Sequence, residues 1–151
     1  HLQASKPGVA ARHEYYIKVL SATGVEIELS VFKAKRLKCH KCDKKFTTHV
    51  EKETDVAVAV KMLEVFHENS ADRVVLVTGD TDVAPSVRAA QRMFPGREIC
   101  FAFPWNRSRS KLKQMIPNHC TFSMSRELYV AHQFPDPTTI NGVVYAKPAS
   151  W

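Results

Sequence analysis

The chain has 151 residues, which sets one domain as the prior and is long enough to bury a real core. Its composition, 44% hydrophobic and 25% charged, is that of a soluble globular chain, and no apolar run approaches the ~20 residues that a membrane-spanning helix needs. A formal net charge of +7 and a pI of ≈ 9.4 point to a polyanionic partner, nucleic acid first, although basicity also serves solubility alone.

Residues 1–10 lack periodicity and contain Pro7 and Gly8, which predicts a loop. Residues 1–11 also have no apolar core, so no secretory signal is read there. Residues 12–22 predict a helix, with Tyr16, Val19 and Leu20 at helical spacing and Gly24 stopping it. Residues 25–32 (VEIELSVF) alternate apolar and polar and predict a strand. A basic stretch, residues 33–45, follows and carries Cys39 and Cys42. Thr54 or Asp55 opens a helix to about His67, with Val56, Ala59, Val60, Leu63 and Phe66 as its expected buried face.

Residues 73–77 (RVVLV) read as a short buried parallel strand, rich in β-branched residues and without alternation. A helix from Asp82 to about Phe94 follows, with Val83, Val87, Ala90 and Phe94 inward, and Pro95-Gly96 ends it. Residues 98–103 predict a strand, 108–116 a short basic helix, 120–124 a strand and 125–132 a short helix. A tail begins at Pro135 and includes the Asn141-Gly142 signature of a hairpin. Alternating strands and helices predict a mainly parallel sheet with helices on both faces, a three-layer α/β/α domain over residues 1–134 with a C-terminal tail over 135–151.

The chemistry concentrates where the strand 73–77 ends, at Thr78-Gly79-Asp80-Thr81-Asp82. Open α/β sheets place ligands just beyond the carboxyl ends of their strands. Asp80 and Asp82 in one turn repel each other, and a bound cation relieves that repulsion. The plainer reading makes Asp82 an N-cap and Asp80 a turn residue. Asp55, at the start of the preceding helix, complements the helix dipole in its plain reading. In its functional reading it meets Asp80, because a right-handed crossover brings that helix start to the end of the next strand.

Two basic stretches are candidates for a phosphate backbone. Trp105, Arg107, Arg109, Lys111 and Lys113 leave a strand on the edge that carries Asp80. Lys33, Lys35, Arg36, Lys38, Lys41, Lys44 and Lys45 form a denser cluster, which either tracks RNA or keeps a loop in water. Cys39-His40-Lys41-Cys42 has the spacing of half a zinc site, with His40 or His49 as a candidate third ligand and a second chain as a source of others, in which case the protein is a homo-oligomer. The alternative is a turn with free thiols. Cys100 and Cys120 read as core residues. Four cysteines do not make a disulfide scaffold, so a reducing cytoplasm is the expected location.

The segments EKETDVAVAVKML (51–63) and RVVLVTGDTDVAPSV (73–87), followed by the basic stretch after Pro104, resemble the NYN domain, a branch of the PIN-like nucleases. The resemblance runs from about Arg12 to Ser125, and the bacterial form of the domain often carries a Cys pair before the Glu-Lys-x-x-Asp stretch, as Cys39 and Cys42 do. It implies divalent-metal-dependent cleavage of RNA, with Asp55, Asp80 and Asp82 at acidic positions holding Mg²⁺ or Mn²⁺, and 5′-phosphate and 3′-hydroxyl products. The family's first strand, which ends in an Asp, has no counterpart among residues 1–11. Two rivals stand beside a ribonuclease: an RNA-binding or interaction module of the same fold without catalysis, and a phosphatase of the haloacid-dehalogenase type. The second needs an early Asp-x-Asp nucleophile, and none precedes Cys39.

Overall fold

The computed structural model describes residues 7–107 and 110–148, which group into two compact units, residues 53–132 and residues 1–52 with 133–151. In the second of these, helix α1 spans Pro7–Ala22. The loop expected over 7–10 is therefore helical; Pro7 takes the first helical position, where its missing N–H costs nothing. Residues 1–6 of that expected loop lie outside the described residues.

The strand expected at 25–32 is displaced. Strand β1 is Val31–Lys38 and pairs antiparallel with β2, Lys45–Lys52, from Val31↔Lys52 to Lys38↔Lys45. The lysine-rich run is therefore split between an exposed two-stranded ribbon and the loop that carries Lys41 and Lys44. Alternation in 25–32 set the period, but strand limits are set by where a partner supplies hydrogen bonds, and β2 reaches no further than Val31. The Asn141-Gly142 hairpin is present as β6, Thr138–Ile140, and β7, Val143–Tyr145, with both turn residues at positive φ. It packs on α1: the Tyr15 hydroxyl accepts from the Ala146 N–H at 3.0 Å, and the Tyr15 and Tyr145 rings meet edge to face.

The unit 53–132 is an α/β fold around one parallel sheet. Helix α2 spans Thr54–His67, and strand β3 is Arg73–Leu76. A 3₁₀ turn over Thr81–Val83 leads into helix α3, Ala84–Met93, and strand β4 is Glu98–Phe103. A single helical turn, α4, covers Ser110–Lys113, shorter than the helix expected over 108–116, of which residues 108–109 lie outside the described residues. Strand β5, Thr121–Ser123, and helix α5, Arg126–Ala131, complete it. The strands lie in the order β3-β4-β5, all parallel. Both connections step the same way, so right-handed crossovers put α3 and α4 on one face.

That face holds the core. Leu76, Ile99, Phe101 and Phe103 meet Val83, Val87 and Ala90 from the α3 side, Leu112 from α4, and Met62 and Phe66 from α2. On the opposite face, Val75, Val77 and Phe122 remain 54%, 62% and 54% exposed. Cys100 and Cys120 both have free thiols. Burial, reinforced by the Cys120 sulfur, pushes the Cys100 thiol up to about 11.

The buried stripe of α2 differs from the one expected. Met62 and Phe66 are buried and Leu63 partly so, whereas Val56 and Val60 are 65% and 46% exposed. Residues 56–60 of the helix, VAVAV, are apolar on every side, so their pattern could not select a face. Replacing Phe66 by Ala is expected to cost about 3–5 kcal/mol in denaturant unfolding. Val60→Ala is expected to stay within about 0.5 kcal/mol; the reverse ranking would place the buried stripe on Val60.

Candidate metal centre and nucleic-acid interface

The sheet ends in a tight turn whose conformation the sequence dictates. After β3, the Thr78 Oγ1 accepts the Asp80 N–H at 3.0 Å, and the Asp80 Oδ1 accepts the Asp82 N–H at 3.0 Å. Asp80 is thus the N-cap of the 3₁₀ turn, the role the plain reading gave to Asp82. Thr78 fixes the backbone of Asp80 and not a carboxylate. These bonds orient Asp80 without using Asp82's own oxygens.

Asp55 sits in the first turn of α2. A ligand oxygen from each of Asp55, Asp80 and Asp82 lies within 4.8 Å of the others, and all three side chains are exposed. The structure therefore gathers the three aspartates that the sequence singled out. Two of them come from one turn; the third arrives because α2 runs back along β3. The donors are all hard carboxylate oxygens, open to solvent, which suits a cation that keeps part of its water shell.

An open cleft of ≈ 450 Å³ adjoins the turn, lined by Val77, Thr78, Gly79, Asp80, Thr81, Pro104 and Arg107. Its width depends on Gly79. A Cβ at that position would sit 2.2 Å from the Arg107 carbonyl oxygen and 2.8 Å from the Arg107 Cβ. Only glycine lets the β4 exit loop close on the β3 turn. The sequence marked Gly79 as a strand breaker; the contact it permits is 28 residues away in the chain and had no local signal.

Arg107, expected to bind nucleic acid, lines the same cleft as Asp80. The Arg107 N–H bonds to the Pro104 carbonyl at 2.8 Å, closing a turn in which Asn106 adopts positive φ. Trp105, in that turn, is 51% exposed. Lys111 and Lys113 are exposed on α4, and the Lys113 ammonium stands 5.7 Å from the Phe103 ring centre. Arg109 lies outside the described residues.

Cys39 and Cys42 occupy the loop that closes the β1-β2 ribbon. The Lys41 and Cys42 N–H groups and the Cys42 thiol bond to the Cys39 sulfur and hold its thiol below the usual value. Among the described residues, no third His, Cys, Asp or Glu joins the pair within ligand distance, so neither His40 nor His49 completes a site there.

A model of the NYN domain family matches residues 7–121, from the start of α1 to the first residue of β5. No curated protein and no solved structure matches the chain.

Gly79→Ala is expected to destabilise the protein by about 1–3 kcal/mol, because Arg107 must move for the new methyl group. Gly96→Ala, with nothing within 4 Å of its new atom, is the control and is expected to be neutral or mildly stabilising, by about 0.4–1 kcal/mol. Chemical unfolding of the two variants checks the pair; equal stabilities would remove the steric argument.

Proposed function

The chain belongs to the NYN-domain family, within the PIN-like nucleases, and from that premise we propose that it is a divalent-metal-dependent ribonuclease that hydrolyses RNA phosphodiester bonds. The observation that carries this reading is the convergence of Asp55, Asp80 and Asp82. Their oxygen-only donor set fits Mg²⁺ or Mn²⁺ in preference to a soft cation. Bound there, such an ion supplies an activated water near neutral pH and counter-charge for the in-line displacement.

The chain's own residues set the stage for that chemistry. Asp80, fixed by the Asp82 N–H, would be a direct or water-mediated ligand, with Asp55 and Asp82 as further ligands or as acceptors that orient the attacking water. Arg107, which lines the same cleft, binds the phosphate backbone. Trp105 offers a half-exposed ring on which a base can stack. Lys111 and Lys113 extend positive charge away from the cleft, and the basic β1-β2 ribbon offers a second surface for RNA. Hydrolysis then leaves 5′-phosphate and 3′-hydroxyl ends.

No helix among the described residues is long and apolar enough to cross a membrane, and the four cysteines are free, which fits a reducing cytoplasm. Zinc at Cys39 and Cys42 requires ligands from a second chain, and a homo-oligomer enters the reading only in that form.

Labelled single-stranded RNA incubated with Mn²⁺ tests the proposal. Asp80→Asn is expected to lower the cleavage rate at least about 100-fold while RNA binding persists. Cleavage that survives the substitution rejects the site, and a salt-sensitive gel shift without cleavage by the unaltered chain favours the non-catalytic RNA-binding module. Arg107→Ala is expected to weaken RNA binding and reduce the slope of log affinity against log salt by about 0.7, the value for one phosphate contact on a single strand. An unchanged slope takes Arg107 out of the interface.

A further inference from the structure

The opposite end of the parallel sheet carries a second donor set of different chemistry. Glu98 opens β4, and Cys100 follows two residues later on the same face. The parallel register pairs Phe101 with Thr121, which sets Cys120 beside Cys100 on the neighbouring strand. One ligand atom from each of Glu98, His119 and Cys120 lies within 4.8 Å of the others. We propose that Glu98, His119 and Cys120 form a zinc site, with water as a further ligand, that ties β4 to the turn opening β5 at the end of the sheet away from the aspartates.

Three observations support the assignment. The first is spacing. The His119 Nε2 stands 3.6 Å from the Glu98 Oε1, too long for a normal N–H···O bond. It is close to the edge of a zinc coordination tetrahedron, about 3.3 Å for nitrogen and oxygen ligands. The second is the support behind the carboxylate. Arg73, paired with Glu98 across β3 and β4, donates from both Nε (2.7 Å) and Nη2 to the Oε2, leaving Oε1 toward His119. A ligating carboxylate held by a hydrogen-bond partner behind it is the usual arrangement at metal sites. The third is charge. The Cys120 thiolate and the Glu98 carboxylate would carry two negative charges, which a divalent ion balances. Sulfur and nitrogen donors select zinc over the hard cations suited to the aspartates. Core packing explains a buried Cys120, but it does not require a histidine and a glutamate within reach of its sulfur.

The site is independent of the nuclease reading and is tested apart from it. The full chain, purified under reducing conditions and carrying Cys39→Ser and Cys42→Ser to silence the ribbon thiols, is titrated with Co²⁺ and with Zn²⁺. The expected result is about one thiolate-bound ion per chain, seen as a thiolate-to-cobalt charge-transfer band that carboxylates alone cannot produce, and an upward shift in melting temperature on zinc addition. Cys120→Ser is expected to abolish the band. His119→Ala, at an exposed position, is expected to weaken zinc binding at least about tenfold. Absence of the band, or binding unchanged by both substitutions, overturns the proposal. So does a mass lower by two hydrogens in protein prepared without reductant together with no metal uptake by the reduced form, which would make Cys100 and Cys120 a redox pair.

Discussion

Three like charges held in one small space are the constraint on which the functional end of this molecule depends. Asp55, Asp80 and Asp82 repel one another, and water screens that repulsion only in part. The fold sustains the arrangement through the bond of the Asp80 N–H to Thr78, the charge-assisted bond of the Asp82 N–H to the Asp80 carboxylate, and the packing of Met62 and Phe66 that anchors α2. Packing on one face of a three-stranded sheet thus fixes the direction of a helix, and the helix delivers the third aspartate.

The same sheet separates two kinds of chemistry by strand polarity. Parallel strands bring all their carboxyl ends to one edge and all their amino ends to the other. The carboxyl edge carries oxygen donors, a glycine-dependent cleft and Arg107, all open to a polyanion. The amino edge carries Arg73, Glu98, Cys100, His119 and Cys120, with nitrogen and sulfur among the donors. The proposed hard cation would sit at the first edge and the proposed zinc at the second, so the two sites would differ in the donors they offer.

Much of this was legible in the sequence because it is local. The β3 run, the Gly-Asp turn, the inward face of α3 and the Asn-Gly hairpin each rest on residues within a few positions of one another. The link between Asp55 and Asp80 was also legible, since crossover handedness converts chain order into position. What escaped was decided at long range. The strand limits of β1 depended on β2, a segment with no strong strand signal of its own. The face of α2 depended on which valines the sheet could cover. The need for glycine at position 79 came from Arg107, and the pairing of Cys100 with Cys120 came from the register of β4 and β5. A cysteine in a strand reads as core until the neighbouring strand is placed.

The claim beneath the whole account is that Asp55, far from the Gly-Asp turn in sequence, shares one cation with it. Titration of the chain with Mn²⁺, following the electron paramagnetic resonance signal of the free ion, measures this directly. The account predicts a saturable site that Asp55→Asn and Asp80→Asn each weaken by about tenfold or more. Mn²⁺ binding that Asp80→Asn weakens and Asp55→Asn leaves untouched would contradict it.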